Sequence, residues 1–160
     1  MTGESYMLKP EDADWPKRAA DFIPHSGLMC VVDDLLSVEG GVVIATALIR
    51  ENNPFVRKDG TVEEAVFVEM IAQTIAAGSG YELSEEKRGT QQGYLLGIKN
   101  IKILGTARAG ETLKIRAYKS AEFGDFGIIE GTVLRGGEML ASGQIKVFQT
   151  FDRKTVENPS

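Results

Sequence analysis

Met29 to Val38 is an apolar run rich in Val and Leu, and Glu39-Gly40-Gly41 interrupts it. Val42 to Arg50 is a second run, again apolar and partly β-branched. Two such runs around a short glycine turn predict a β-hairpin. Glu51-Asn52-Asn53-Pro54 breaks the pattern, with Asn52-Asn53-Pro54-Phe55 read as a turn, and Lys58-Asp59-Gly60 marks another turn. Thr61-Val62-Glu63-Glu64 has the spacing of a capping box, with Thr61 as N-cap and Glu64 three residues on. A helix is predicted over 62–77, closed by Gly78-Ser79-Gly80. Its apolar residues (Val62, Ala65 to Val68, Met70 to Ala72, Ile75 to Ala77) cover nearly every side, so it should be buried on nearly every side. Tyr81 to Gln92 is charged and reads as the solvated helix end or a surface loop.

The remainder is β-like. Gly93 to Leu104, Glu111 to Ser120, Phe126 to Leu134 and Met139 to Phe148 are four candidate strands, separated by turn signals at Ala109-Gly110, Phe123-Gly124-Asp125 and Gly136-Gly137. Leu113, Ile115 and Ala117 alternate with Lys114 and Arg116, which predicts one wet face. Residues 1–20 read as a lead-in segment, with Trp15-Pro16 and Asp21 to Ile23 as its anchors. Residues 21–150 read as one domain and 151–160 as a polar tail. Six strands and one long buried helix, in that order, predict an α+β domain with an antiparallel sheet wrapped around the helix.

Composition narrows the chemistry. The chain has 160 residues, which suits one domain with one core. Its 18 glycines agree with many turns. Lys and Arg total 18 against 23 Asp and Glu, a net charge of −5. An acidic chain without a basic block is a poor nucleic-acid binder. A single Cys excludes a disulfide within the chain. Cys30 lies in the apolar stretch Leu28 to Val32 and reads as a small buried hydrophobe. A single His excludes zinc sites that need several His or Cys ligands from one chain. The polar, acidic amino terminus has no secretory pattern, and no apolar run approaches the ~18 residues of a membrane helix, so the expected compartment is the cytoplasm.

Four residues are out of place for packing alone. Glu69 and Gln73 are the two polar side chains that stand out in the apolar helix, and four residues apart they share a face. Burial of Glu69 would raise its pKa and suit it to general-acid work, while a Lys or Arg partner from the sheet would make it structural. Gln73 reads first as a hydrogen-bonder to a neighbouring loop. His25, between Pro24 and Ser26-Gly27, is the one imidazole available for proton transfer near neutral pH. Gly97 interrupts the apolar strand Tyr94-Leu95-Leu96-Gly97-Ile98, which signals a bulge, a close approach to the helix, or a ligand-facing backbone.

Ile23-Pro24-His25, Met29 to Asp33, the hairpin, Asn53-Pro54-Phe55, Val68-Glu69-Met70-Ile71-Ala72-Gln73 and Tyr94 to Ile98 together resemble the hot-dog-fold 3-hydroxyacyl-acyl-carrier-protein dehydratases. The likeness covers roughly Asp21 to Phe148 and is nearest the divergent branch found in aryl polyene biosynthetic clusters. It implies a sheet wrapped around the central helix, edge-to-edge pairing of two subunits, and acyl chains in tunnels at the dimer interface. By that likeness Glu69 is the helix acid, Gln73 the glutamine one turn later, and the Gly97 N–H a contact for the thioester carbonyl. Val66 and Met70 would line the acyl chain. Those dehydratases carry a catalytic His in a loop before the helix, whereas here that loop is Phe55-Val56-Arg57-Lys58-Asp59-Gly60. Either His25 replaces that base, or the chain is a catalytically silent partner of an active subunit.

The resemblance therefore implies an enzyme that dehydrates 3-hydroxyacyl thioesters, borne on an acyl carrier protein or on CoA, in fatty acid or aryl polyene-type biosynthesis. The other readings are a silent hot-dog partner and an acyl-thioesterase. No metal or cofactor is implied, and no nucleic-acid or membrane partner. A homodimer or a heterodimer with another hot-dog subunit is expected. Docking an acidic carrier protein would need a local basic patch, for which Arg57 and Lys58, or Lys99 and Lys102, are candidates.

Overall fold

The computed structural model describes residues 14–24, 27–86 and 90–152. After a two-residue strand, β1 (Lys17–Arg18), and short 3-10 turns at Ala19–Asp21 and Gly27–Met29, the hairpin follows as β2 (Asp34–Glu39) and β3 (Val42–Leu48). Glu39 pairs with Val42, so Gly40 and Gly41 alone make the turn. Both have positive φ, 58° and 79°, as the tight turn that matches strand twist requires. The helix α1 (Ala65–Glu86) comes next, then β4 (Thr90–Ile103), β5 (Thr112–Phe123), β6 (Phe126–Arg135) and β7 (Glu138–Asp152). The strands form one antiparallel sheet in the order β1-β2-β3-β5-β6-β7-β4. With one helix packed against a seven-stranded sheet, the fold is the α+β arrangement expected.

The core lies between helix and sheet. Val66, Phe67, Met70 and Ile71 of α1 are buried against Leu35 of β2, Ala45 of β3, Leu113 and Ile115 of β5, Ile129 of β6 and Ile145 of β7. Inward residues alternate along β5 with exposed Thr112, Lys114 and Arg116, which is the wet face read from the sequence. β4 is an edge strand, and Leu95, Leu96 and Ile98 on it are exposed.

Three local expectations are corrected. The helix does not begin at Val62 under a Thr61 cap. The Thr61 hydroxyl and N–H both donate to Asp59 Oδ1, Thr61 bridges Arg108, and regular helix starts at Ala65. Nor do Gly78 and Gly80 end the helix. It runs through them to Glu86, because both glycines allow close contact. A Cβ on Gly78 would overlap the side chain of Val43, and one on Gly80 would overlap the Phe22 carbonyl. The extra turns bury Leu83 and set Tyr81 edge-on to Trp15 and Phe22, so the charged stretch supplies helix as well as surface. Finally, β2 starts at Asp34 rather than Met29, because a helix side chain takes the backbone groups of the preceding segment.

Candidate functional site

That side chain is Gln73. It is 1% exposed, and both ends of its amide are used. Its Nε2 donates to the Met29 carbonyl at 2.8 Å and to Glu69 Oε1 at 3.0 Å. Its Oε1 accepts from the Val31 N–H at 2.9 Å. Burying the amide is tolerated because its hydrogen bonds are made to fixed groups. The reading of Gln73 as a fastener of a neighbouring loop describes these contacts.

Glu69 lies one turn before Gln73 on the same face of α1. It is half-buried rather than sealed in the core. It therefore sits at the margin of the helix, beside the backbone that Gln73 holds. That segment is fastened again further along, at Asp33. Asp33 Oδ2 accepts from the Leu48 N–H at 2.6 Å, and Asp33 Oδ1 meets Arg50 Nη2 at 2.8 Å. The chain from Met29 to Asp33 is thus tied to the helix at one end and to the end of β3 at the other. A cleft of about 720 Å³ borders it, lined by Leu28, Cys30, Asp33, Leu48, Arg50 and Asn53 among others, and Glu69 and Gln73 do not line it. Cys30 is half-buried, and its Sγ donates to the Val32 carbonyl at 3.2 Å.

The remaining candidates fall in different places. His25 lies outside the described residues. Gly97 sits between two register shifts of β4, at Leu95/Gly97 and Ile98/Asn100, so the bulge signal read from its sequence holds. A Cβ on Gly97 would meet nothing within 4 Å, so this glycine is not there to let the helix approach. Val66 and Met70 are both 0% exposed, packed in the core, so in the single chain neither presents surface to an acyl chain. Asn53 caps its own turn, its Oδ1 accepting from the Phe55 N–H at 2.8 Å. In the loop that lacks His, the Arg57 guanidinium donates to the Val62 carbonyl at 2.9 Å. No helix is long and apolar enough to cross a membrane among the described residues.

Sequence reasoning missed a polar network on the sheet face turned away from the helix. Tyr118 Oη donates to Glu130 Oε2 at 2.7 Å, and Gln144 Nε2 donates to Glu130 Oε1 at 3.1 Å. The Tyr118 hydroxyl, then Gln144, hold the Glu130 carboxyl below its ordinary value. The same bond pushes the Tyr118 phenol up, since its proton is shared with a carboxylate. The alternation in β5 signalled the face, but cross-strand register alone brings these three residues together.

A single long helix clasped by an antiparallel sheet defines a hot-dog protein. The chain belongs to the ApeP-like family: the family's sequence model, described as ApeP dehydratase, matches residues 17–157. No curated protein sequence matches it. In structure it is similar to the dehydratase heterocomplex ApeI:P from Xenorhabdus doucetiae, at 23% identity and a TM-score of 0.77, over 85% of this chain and 93% of that one. It is also similar to a hypothetical thioesterase with coenzyme A from Streptococcus pneumoniae, at 13% identity and a TM-score of 0.58, over 74% of this chain and 86% of that one. A third is the PaaI protein of the E. coli phenylacetic acid degradation operon, at 12% identity and a TM-score of 0.57, over 71% and 80%. The thioesterase likeness is one of fold, and the dehydratase-like function follows from the family.

Proposed function

We propose that this chain takes part in the dehydration of a 3-hydroxyacyl thioester, carried on an acyl carrier protein or CoA, with Glu69 as its acid. The supporting observation is the Glu69–Gln73 pair at the helix margin, bonded to the backbone that follows His25. The reaction removes a proton from carbon 2 while the hydroxyl on carbon 3 leaves as water, forming the double bond between them. Gln73 donates to Glu69 Oε1 and so orients the carboxyl group that is assigned to protonate the departing hydroxyl. His25 is assigned as the base and the Gly97 N–H as the donor to the thioester oxygen, where enolate charge develops.

The test is hydration of a 2-enoyl thioester by the wild type, by Glu69→Gln and by His25→Ala. Loss of turnover in both variants is the expected result, and full activity in both would remove the assignment.

A second reading is favoured by one feature, the absence of His from the loop Phe55 to Gly60. In it the chain pairs with another hot-dog subunit that supplies the base, and β4 offers an apolar edge for such pairing. Turnover only in a mixture with an active dehydratase subunit, unaffected by His25→Ala, supports it. Release of free thiol without enoyl formation would instead support a thioesterase.

A further inference from the structure

The outer face of the sheet carries a basic trough that the reaction does not use. A Cβ on Gly131 would overlap Ile71 of the helix, so Gly131 faces inward and its neighbours Glu130 and Thr132 face outward. Thr132 pairs with Arg116 on one side and Ser142 on the other, and Ser142 pairs with Lys102. Lys102, Ser142, Thr132 and Arg116 thus form one cross-strand row on four strands. Two long cations stand at its ends with two small hydroxyl residues between, leaving a depression of about 280 Å³. The adjacent row is Asn100, Gln144, Glu130 and Tyr118. Lys114 and Lys146 lie on the same face beyond these rows. Lys102, Lys114, Arg116 and Lys146 are exposed, and none pairs with a carboxylate among the described residues. A chain of net charge −5 has therefore gathered four cations in and beside these two rows, in which Glu130 is the one carboxylate.

We propose that this face docks a carboxylate-bearing helix of another protein, with Lys102 and Arg116 as two separate salt-bridge points and Ser142 and Thr132 seating the segment between them. Three strand spacings separate the two cationic residues, about 14 Å between backbones. The Arg116 guanidinium lies 5.2 Å from the centre of the Tyr118 ring, so it leans along its strand rather than across the trough toward Lys102. One small anion does not bridge such a pair, whereas carboxylates spread over two or three helical turns do. Glu130, bonded by the neutral donors Tyr118 and Gln144, keeps its charge and offsets one of the four cations, so the face stays net positive. A second copy of the same face is repelled by like charge. A nucleic-acid backbone, with its closely spaced charges, calls for a longer run of cations than these four on an acidic chain. The inference does not depend on the reaction at Glu69.

The test uses the full chain and a fluorescent synthetic helical peptide with glutamates spread over about 14 Å, read by anisotropy at low and high salt. Salt-sensitive binding is expected, weakened about tenfold or more in the double variant Lys102→Glu/Arg116→Glu. Both residues are exposed, and an unchanged unfolding temperature shows that the variant keeps its fold. Glu69→Gln is expected to bind the peptide like wild type, which separates this site from the reaction. No binding, equal binding by the charge-reversed variant, or loss of binding in Glu69→Gln would each overturn the proposal. So would displacement of the peptide by an equal concentration of inorganic phosphate, or binding to phosphatidylglycerol vesicles in place of the peptide.

Discussion

The Gln73 amide donates to Glu69 across one helical turn, and its two ends also hold the backbone of Met29 and Val31. One buried side chain therefore orients the candidate acid and fixes the segment lying over it. Any change at Gln73 acts on both.

Gln73→Leu keeps the bulk but leaves the Met29 carbonyl and the Val31 N–H without their partner. Each buried group so stranded costs about 1 to 3 kcal/mol. The variant is expected to lose about 2 to 4 kcal/mol, measured by urea unfolding, and to lose hydration activity along with Glu69 orientation. A stable variant would show that the segment finds other bonds.

Gly78→Ala separates helix propensity from packing. Propensity alone favours Ala in a helix interior by about 1 kcal/mol. The structure predicts the opposite sign, because the new Cβ meets Val43. A loss of about 1 to 3 kcal/mol is expected from overpacking. The double variant Gly78→Ala/Val43→Ala, which clears the clash, is expected to lose less than the sum of its parts. Thermal unfolding of the four proteins decides it.

Thr74→Val should be neutral or stabilising, against the usual run of helix-interior changes. The Thr74 hydroxyl is buried without a hydrogen-bond partner among the described residues. Replacing it with a methyl of similar shape removes a desolvated polar group, a gain of up to about 1 kcal/mol. A fall in unfolding temperature would mean that the hydroxyl is satisfied in solution.

Tyr118→Phe should raise the Glu130 pKa toward the ordinary carboxylate value. The phenol is the largest cause of the depression, since it donates to the ionised form. The stability from this bond is present above the unfolded carboxylate pKa and is lost as pH falls through the depressed folded one. Carboxyl NMR titration of wild type and variant reads the shift. An unchanged midpoint would show that Gln144 alone sets it.

Much of the architecture was legible in the chain, because periodicity reports which side of an element meets water. The hairpin and four further strands follow from apolar runs and turn residues, the wet face of β5 from alternation, and the buried helix from helix formers apolar on nearly every side. The class of protein was legible through a resemblance carried by several segments together, the helix stretch with Glu69 and Gln73 among them. What sequence could not supply was anything set by residues far apart in it. Thr61 had the spacing of a cap, yet it bonds Asp59 and bridges Arg108, because sheet-like pairing competed for the same backbone. Gly78 and Gly80 looked like a helix end, but contacts with Val43 and Phe22 make them the places where the helix passes closest to its neighbours. Val66 and Met70, which the resemblance places along an acyl chain, are buried in the core of the single chain. The trough between Lys102 and Arg116 exists only because register places four strands' residues in one row. Local pattern determines which residues are buried, and the pairing of distant strands decides which of them meet.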